Sequence, residues 1–308
     1  MKIYQNWQGV ADSARGASVA MGNFDGLHLG HQHVLRLAAQ HGPLGIVTFE
    51  PHPRSFFSPN APVFRLMNAE ARANRLAKLG VETLFELPFD ATLANLTPEA
   101  FVAEVLAEGM GVRHVTVGAD FCFGKGRKGT AENLKAFGKA HGISVHLADL
   151  VQQNGTEISS TRIRAALSEG QPKAARDMLG HWHRIEGEVI HGEKRGRELG
   201  YPTANMDVTG LHLPQNGVYA VFVDVLTGPQ KGSYMGAANL GTRPMFGQNK
   251  PNLETFFFDF EGDLYGQHIS VAFVERLRGE ENFDGLDALI AQMNADCDQA
   301  RRLLMAQE

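Results

Sequence analysis

The stretch SVAMGNFDGLHLGHQHVLRLA, residues 18–38, runs from a short apolar segment through a glycine-rich turn into a helical pattern. Apolar residues at positions 34, 35, 37 and 38 follow helical spacing, and Gly42-Pro43 predicts that the helix stops soon afterwards. A strand that leads through glycines into a helix is the opening unit of an open parallel sheet. This stretch therefore predicts an α/β fold for the N-terminal half.

The alternation of strand and helix patterns continues to about residue 150. Helical patterns at 68–80 and 131–142 separate the apolar segments, and Thr97-Pro98-Glu99 predicts a further helix start. The predicted strands lie within LGIVTFE (44–50), VETLFELP (81–88), HVTVGAD (114–120) and GISVHLADL (142–150). Repeated in this order, they indicate a parallel sheet covered by helices on both faces.

The pattern changes near residue 183, after two short helical segments. Closely spaced β-rich segments separated by turn residues then predict a small antiparallel barrel. These segments are RIEGEVI (184–190), GVYAVFVDV (217–225), SYMGAANL (233–240), LETFFFDF (253–260) and HISVAFVERL (268–277). An apolar stripe from Leu286 to Leu304 predicts a terminal amphipathic helix. We therefore expect two domains, residues 1–183 and 184–308.

Composition limits the classes of function. A formal net charge of −5 argues against a protein that mainly coats nucleic acid. Neither a membrane-spanning apolar run nor a signal peptide is recognisable, so we expect no membrane partner. Cys122 and Cys297 lie far apart and form no zinc-type spacing, which favours a reducing, cytoplasmic setting. The oligomeric state is left open.

His28 and His31 lie at the start of the helix that follows the first glycine-rich turn. Gly22, Gly26 and Gly30 allow close backbone approach to a ligand, and the helix N-terminus favours an anion. Imidazoles there can donate hydrogen bonds to phosphate oxygens in a transition state. A metal site would need a third ligand, which the spacing does not identify. Phosphate binding is the favoured interpretation, with a metal site and structural histidines as alternatives.

A second glycine-rich stretch, HGEKRGRELGYPTANM (191–206), brings Lys194, Arg195 and Arg197 into a loop suited to phosphate. We expect residues 202–205 to form a stiff turn that presents the oxygens of Thr203 and Asn205, which suit Mg²⁺. The chain lacks the GxxxxGK[ST] pattern of P-loop kinases.

Glu254 shares one face of a predicted strand with Phe256 and Phe258. A carboxylate on such a face lies either at the edge of a core or in a pocket, and strand alternation alone leaves both interpretations open.

Four motifs of the N-terminal half occur together. GNFDGLHLGH, FEPHPRSFF, GADFCFGKGRKG and ISSTRIR, taken in this order, resemble the adenylyltransferase module of bacterial bifunctional riboflavin kinase/FAD synthetases. The resemblance implies a Rossmann-like nucleotidylyltransferase domain with His28, His31 and Arg164 in catalysis. It further implies nucleotide contacts for Gly22, Asn23, Asp25, Gly30, Ser159, Ser160 and Thr161, and flavin contacts for Asp120, Phe121 and Phe123.

The second glycine-rich stretch is similar to the GxxxGRxxGxPTAN signature of riboflavin kinases, with Tyr201 where Phe is common. This resemblance implies an antiparallel β-barrel riboflavin kinase domain with a terminal helix. It places Gly192, Gly196 and Arg197 at the nucleotide and Thr203 and Asn205 at Mg²⁺. It makes Glu254 the base that accepts the proton of the ribityl 5′-hydroxyl.

Together the resemblances imply an enzyme that converts riboflavin to FMN and FMN to FAD with ATP and Mg²⁺. Two alternatives are a flavin-binding regulatory protein without turnover and a nucleotidylyltransferase for another mononucleotide. Retention of both histidines and of Glu254 argues against the first. The Thr203, Asn205 and Glu254 set argues against the second.

Overall fold

The structure, a computed structural model, describes residues 1–153, 155–192, 200–245 and 248–307. The chain divides into one unit of Met1–Pro62 with Arg72–Ser159, and a second of Val63–Ala71 with Ser160–Glu308. Residues 160–183 therefore pack with the second unit, although the sequence analysis placed them in the first domain. That the two activities are divided after residue 183 stays a prediction.

The first unit is built on a parallel sheet of six strands in the order β1-β4-β3-β2-β5-β8. Strand β2 is buried at every position, as expected for a sheet covered on both faces. The strands are β1 (Lys2–Tyr4), β2 (Ser18–Met21), β3 (Leu44–Glu50), β4 (Thr83–Pro88), β5 (His114–Gly118) and β8 (Ser144–Ala148). Two hairpins follow β5 and β8: β6 (Cys122–Phe123) with β7 (Gly129–Thr130), and β9 (Gln152–Gln153) with β10 (Thr156–Glu157). The predicted α/β architecture is confirmed.

Helices connect these strands. They are α1 (Leu29–Ala38), α2 (Pro53–Phe57), α3 (Ala69–Lys78), α4 (Ala91–Ala94), α5 (Pro98–Ala100) and α6 (Ala131–Ala140). Helix α5 continues as a π-helical segment, Phe101–Gly109, and the Thr97 hydroxyl caps it by accepting a hydrogen bond from the Ala100 N–H at 3.2 Å. The helix start predicted at Thr97 is therefore confirmed, with the capping mechanism expected for threonine.

Three histidines cluster where β5 and β8 begin. The rings of His41 and His114 stack at 3.8 Å between centroids, and His146 lies 6.2 Å from His41. His114 is 5% exposed, and its ring nitrogens contact the hydroxyls of Ser144 and Thr116. Burial, together with the neighbouring histidines, lowers the pKa of His114 from 6.5 to about 4. This imidazole is therefore neutral in the folded protein at neutral pH.

We expect the free energy of unfolding to decrease as the pH falls from 6.5 towards 4. In this interval the unfolded chain protonates His114 while the folded protein keeps it neutral, so proton binding favours the unfolded state. The loss attributable to this residue should be roughly 1–2 kcal/mol at pH 5. Urea denaturation at pH 7.5 and 5.0 measures it. His114→Gln should reduce the pH dependence, and an unchanged pH dependence in this variant would contradict the assignment.

The second unit contains an antiparallel six-stranded barrel with strand order β11-β16-β13-β14-β15-β12. An isolated bridge between Ile190 and Asn205 nearly closes it. The strands are β11 (Arg184–Glu188), β12 (Thr203–Asp207), β13 (Gly217–Val225), β14 (Gly232–Met245), β15 (Gln248–Phe257) and β16 (His268–Arg278). Two helices precede them, α7 (Ser160–Ser168) and α8 (Pro172–Leu179), and α9 (Leu286–Met305) follows. The predicted barrel and terminal helix are confirmed.

The stiff turn predicted at residues 202–205 is wrong. Thr203–Asp207 is a strand that pairs with β15 along its length. The physical reason is alternation: Ala204 and Met206 are 7% and 1% exposed in the barrel core, while Thr203 and Asn205 lie on the other face. Pro202 stands before the strand, where its missing N–H costs no ladder hydrogen bond.

The described helices are all too short or too polar to span a lipid bilayer.

Candidate active sites

The loop between β2 and α1 follows the carboxyl end of β2, where open α/β sheets bind ligands. Its backbone takes a left-handed conformation at Phe24 (φ 52°), Gly26 (φ 89°) and Leu27 (φ 46°). Left-handed conformations are costly for residues other than glycine. Phe24 and Leu27 are 1% and 0% exposed, so burial of their side chains holds the loop in this shape. The loop backbone therefore has a fixed conformation, which determines where the N-terminus of α1 lies.

His28 is the N-cap of α1, and its Nδ1 accepts a hydrogen bond from the His31 N–H at 3.3 Å. The two imidazole rings stack with centroids 3.6 Å apart, and the Phe24 ring meets His31 edge-on at 5.3 Å. Because Nδ1 of His28 acts as an acceptor, the neutral ring carries its proton on Nε2. His28 is therefore oriented by the helix start itself, and its Nε2–H is the donor that remains for a ligand.

Burial sets the charge of this histidine pair. His28 is 7% exposed, and burial lowers its pKa to about 4. Burial and the neighbouring His28 lower the pKa of His31 well below its usual range. Nδ1 of His31 is buried and has no hydrogen-bond partner within the described part of the chain. Both rings are therefore neutral donors at neutral pH, and a bound polyphosphate would favour their protonation.

Gly30 has a steric role next to His28. A Cβ at Gly30 would lie 3.0 Å from Cε1 and 3.1 Å from Nδ1 of the His28 ring, closer than ordinary contacts. The other residues predicted at the nucleotide differ in exposure: Asn23 is exposed, whereas Asp25 is only 4% exposed. A Cβ at Gly22 would meet the Phe24 ring at 3.5 Å. Asn23 is therefore the more accessible of the two polar candidates, and Asp25 is held inside the loop.

The predicted triphosphate residues lie at the start of α7, which begins at Ser160 directly after Ser159. Thr161 is exposed, and Arg164 is partly buried. The Arg164 Nε donates to the Phe64 carbonyl at 2.6 Å, and the guanidinium lies 5.5 Å from the Phe64 ring centroid. Arg164 is thus oriented within the second unit by residues 63–71, a contact that sequence spacing does not reveal.

The three residues predicted at the flavin have different surroundings. Asp120 is exposed, Phe121 is partly buried, and Phe123 is 7% exposed within the hydrophobic core of the first unit. The Phe121 and Phe123 rings stack at 6.0 Å, and the Phe101 ring lies 5.7 Å from that of Phe123. Phe123 is therefore packed behind Phe121, whose ring is the more accessible of the two, and the flavin roles of both stay predictions.

An aromatic cluster that the sequence patterns did not predict lies around α2. Phe57 is 63% exposed, and its ring packs edge-on against those of Phe56 and Phe89 at 5.2 Å and 5.7 Å. Phe56 is 37% exposed and also packs edge-on against Phe89 at 5.4 Å, so the three rings form a partly exposed aromatic patch on the first unit. The signal available in the sequence was the adjacent phenylalanine pair in FEPHPRSFF.

The second site is built by strand pairing. Asn205 of β12 and Asn239 of β14 both lie opposite Glu254 of β15, and Thr203 lies opposite Phe256. Directly opposed residues of antiparallel strands point to the same face, so these side chains share the outer face of the barrel. Phe256 packs against the cluster formed by that face and α9. The strand alternation that predicted a common face for Glu254 and Phe256 therefore agrees with the structure.

Hydrogen bonds orient the polar groups on this face. The Asn252 Nδ2 donates to Oδ1 of Asn205 at 3.2 Å and to Oε1 of Glu254 at 3.3 Å. The Asn205 Nδ2 donates to the Thr203 carbonyl at 3.2 Å, which leaves the Asn205 Oδ1 facing the Asn252 and Glu254 side. A Cβ at Gly192 would lie 2.4 Å from Nδ2 of Asn205, so only glycine permits this approach. The predicted residues Thr203, Asn205 and Glu254 are therefore brought together.

A cavity of about 680 Å³ opens beside these groups. Thr203, Glu254 and Phe256 line it from the strands, and the N-terminal half of α9 covers the opposite side. The other lining residues are Tyr201, Val218, Ala237, Ala238, Asn239, Arg278, Glu280, Glu281, Asn282, Phe283, Gly285, Leu286, Leu289, Met293, Asp296 and Cys297. The combination of apolar walls with a few convergent polar groups is typical of a small-molecule site.

Gly196 and Arg197, predicted at the nucleotide of the second site, lie outside the described residues, as do Lys194 and Arg195. Their roles stay predictions.

Family models match both halves of the chain. Residues 10–162 match the model described as FAD synthetase, and residues 179–304 match the model described as riboflavin kinase. Together the two matches cover most of the sequence. They fall in the same order as the α/β unit and the barrel.

Curated relatives resemble the chain over nearly its whole length. A protein of Pseudomonas fluorescens is 39% identical over 98% of both chains, and one of Escherichia coli K12 is 35% identical over 96% of both. A Bacillus subtilis protein is 34% identical over 92% of this chain and 91% of its own. All three are named bifunctional riboflavin kinase/FMN adenylyltransferase.

A solved structure from Streptococcus pneumoniae shares the fold. It covers 96% of both chains with a TM-score of 0.81 and 33% identity, and its title names a macrolide-efflux protein. The agreement in fold extends over both units of the chain.

Proposed function

Since the chain belongs to the family of bifunctional riboflavin kinase/FMN adenylyltransferases, we propose which of its residues carry each of the two reactions. The enzyme phosphorylates riboflavin to FMN and adenylylates FMN to FAD. The observation that carries the residue assignment is the strand register that places Asn205 opposite Glu254 and Thr203 opposite Phe256, beside the cavity.

For FMN adenylylation we infer a direct displacement. An oxygen of the FMN phosphate attacks the α-phosphorus of ATP, the bond to the bridging oxygen breaks, and pyrophosphate leaves. His28 and His31 donate hydrogen bonds to the phosphate oxygens on which charge increases, next to the positive end of α1. Roles for Gly22, Asn23, Asp25, Gly30, Ser159, Ser160 and Thr161 at ATP, for Arg164 in stabilising the charge that develops, and for Asp120, Phe121 and Phe123 at the flavin, stay predictions from the resemblance.

For riboflavin phosphorylation we infer that Glu254 is the catalytic base. It accepts the proton of the ribityl 5′-hydroxyl while that oxygen attacks the γ-phosphorus of ATP and ADP leaves. Asn252 holds one Glu254 carboxylate oxygen at 3.3 Å, so the carboxylate has a defined orientation beside the cavity. In phosphoryl transfer such positioning and electrostatic stabilisation supply most of the rate enhancement.

The cavity under α9 suits the flavin ring. It offers Phe256 from the sheet and a stripe of Leu286, Leu289 and Met293 from the helix, which match a flat aromatic ring system. Glu254 and Thr203 lie on its wall, so a ligand stacked there can direct its alcohol towards the carboxylate. We therefore place riboflavin in this cavity.

Kinases and adenylyltransferases of this type use ATP with a divalent metal, and we propose that this metal is Mg²⁺. The described residues contain no group of three or more His, Cys, Asp or Glu side chains able to hold a metal. The donors present are the Thr203 hydroxyl and the Asn205 amide oxygen, hard oxygens that fit an ion bound largely through water and phosphate. When bound, Mg²⁺ would neutralise charge on the phosphates. Gly192 supports this arrangement by admitting Asn205 against the backbone.

The metal assignment is tested with Thr203→Val, which retains the shape of the side chain but removes its hydroxyl. We expect the Mg²⁺ concentration for half-maximal FMN formation to rise about tenfold or more, in line with the loss of a metal contact. FMN formation is followed by chromatography of riboflavin, FMN and FAD. Thr209→Val, at an exposed position in the same unit, is the control. An unchanged Mg²⁺ dependence in Thr203→Val would exclude Thr203 as a metal-binding residue.

We also infer that the enzyme acts in the cytoplasm on riboflavin, FMN and ATP, with no nucleic-acid or membrane partner. The support for this is the net charge of −5 and the wide separation of Cys122 and Cys297.

A further inference from the structure

The N-terminal half of α9 covers the cavity without an apolar anchor of its own. The buried residues of this helix are Asp296, Ala300 and Leu304, all in its C-terminal half. Ala300 and Leu304 pack into a core cluster with Phe258, whereas Leu286 at the helix start is 54% exposed. The predicted apolar stripe is therefore only half used for core packing. The other half faces the cavity and contributes only partly buried apolar side chains, so polar contacts are needed to add to its attachment.

Besides the Arg301–Asp259 ion pair near its C-terminal end, two polar contacts tie α9 to the barrel in the described part of the chain. Arg278 at the end of β16 donates to Oδ2 of Asp296 through Nε at 3.0 Å and Nη2 at 2.8 Å, which fixes the middle of the helix. Two residues before Asp296, towards the cavity-covering half, Oδ1 of Asn294 accepts a hydrogen bond from the Tyr201 hydroxyl at 2.5 Å. The second contact therefore restrains the half of the helix that lacks buried residues.

Tyr201 joins this helix to the catalytic face. Its ring packs edge-on against Phe256 at 5.1 Å, and the chain enters β12 two residues later, at Thr203. Both Tyr201 and Phe256 line the cavity. Since Phe is common at this position in the family that the sequence resembles, the hydroxyl is an addition that the ring's packing does not require.

We propose that the Tyr201–Asn294 hydrogen bond is a positioning contact that sets the affinity for riboflavin by holding α9 over the cavity. The inference rests on the placement of riboflavin proposed above. Without the contact, conformations in which α9 is displaced from the cavity become more populated. The apparent affinity for riboflavin then decreases in proportion to the fraction of molecules in which α9 still covers the cavity. The kcat value should change little, because Glu254 and Thr203 lie on strands whose pairing does not involve this contact.

The test uses Tyr201→Phe, Asn294→Ala and the double variant of the full-length enzyme. We expect the Kd and KM for riboflavin to rise about fivefold in each single variant, with kcat within about twofold of wild type. The double variant should be no weaker than the single variants, because both remove the same contact. Asn294→Asp retains an acceptor oxygen and should restore most of the affinity. Quenching of riboflavin fluorescence gives Kd, and chromatography gives the kinetic constants.

Tyr234→Phe is the matched control, because its hydroxyl donates to the Gln230 carbonyl at 2.9 Å elsewhere in the same barrel. It should leave the riboflavin Kd unchanged. Unchanged riboflavin affinity in Tyr201→Phe, or effects of the two single variants that add in the double variant, would overturn the proposal. Leu289→Trp, which places a larger side chain on the cavity wall, distinguishes failure of the positioning contact from failure of the riboflavin placement. If this variant loses riboflavin while Tyr201→Phe binds normally, only the positioning contact is refuted. If it binds riboflavin like wild type, the placement in the cavity is wrong, and the proposal falls with it.

Discussion

Glu254→Gln should reduce riboflavin phosphorylation by about 10²–10⁴-fold, the range for loss of a general base. The amide has nearly the same shape as the carboxylate, and its Oε1 can still accept the hydrogen bond that Asn252 donates at 3.3 Å. It cannot accept the proton of the ribityl hydroxyl at neutral pH. The reaction should therefore be lost while the strand pairing of Asn205 and Asn239 with position 254 is retained.

The measurement is FMN formation from riboflavin and ATP, together with FAD formation from added FMN. The second reaction should proceed at the wild-type rate in Glu254→Gln, because its proposed hydrogen-bond donors, His28 and His31, are on the first unit. Glu261→Gln, at an exposed carboxylate in the barrel unit, is the control and should retain both activities. Near-wild-type FMN formation in Glu254→Gln would remove Glu254 from the proposed chemistry.

His28→Asn and His31→Ala should each reduce FMN adenylylation by about 10²–10³-fold, the range for loss of one donor to a developing charge. Asparagine at position 28 is chosen because it is itself a good N-cap. It can replace Nδ1 of His28 in accepting from the His31 N–H, the contact seen at 3.3 Å, while the Nε2–H donor is removed. The loss of activity is then separated from any loss of helix stability. FMN should accumulate in both variants, because riboflavin phosphorylation continues.

Chromatography of the products from riboflavin and ATP measures this accumulation, with circular dichroism to confirm the fold. His33→Ala provides a control on the same helix, two residues beyond His31. Equal loss of FMN and FAD formation in folded His28→Asn would contradict the assignment of separate groups to the two reactions. FAD formation at the wild-type rate in both variants would exclude the histidines from catalysis.

Local patterns predicted the elements that depend on residues close in sequence. Thr97 before Pro98 predicted a helix start, and the hydroxyl caps the helix as expected. The predicted strands at residues 44–50 and 217–225 are present as Leu44–Glu50 and Gly217–Val225. Capping and side-chain alternation act within a few residues, so they can be read without knowledge of the fold.

Residues whose surroundings come from distant parts of the chain were predicted less well. Arg72 lies on α3 and is 1% exposed, with Nη2 donating to Glu50 at 2.8 Å and Glu86 at 2.7 Å. From its charge alone, Arg72 would be expected on the solvent-exposed face of the helix. In the same way, residues 202–205 were predicted as a turn, although pairing with β15 makes Thr203–Asp207 a strand.

The sequence by itself determined the two fold classes, their order, and the residue types that could bind phosphate, accept a proton or hold a metal. It did so because periodicity, capping and motif spacing are properties of neighbouring residues. Only the tertiary structure decided that His28 and His31 are stacked and neutral, and that Phe123 is buried in the hydrophobic core of the first unit. It also decided that Glu254 faces a cavity under half of the terminal helix. Burial and contact depend on chain segments far apart in sequence, and folding alone brings those segments together.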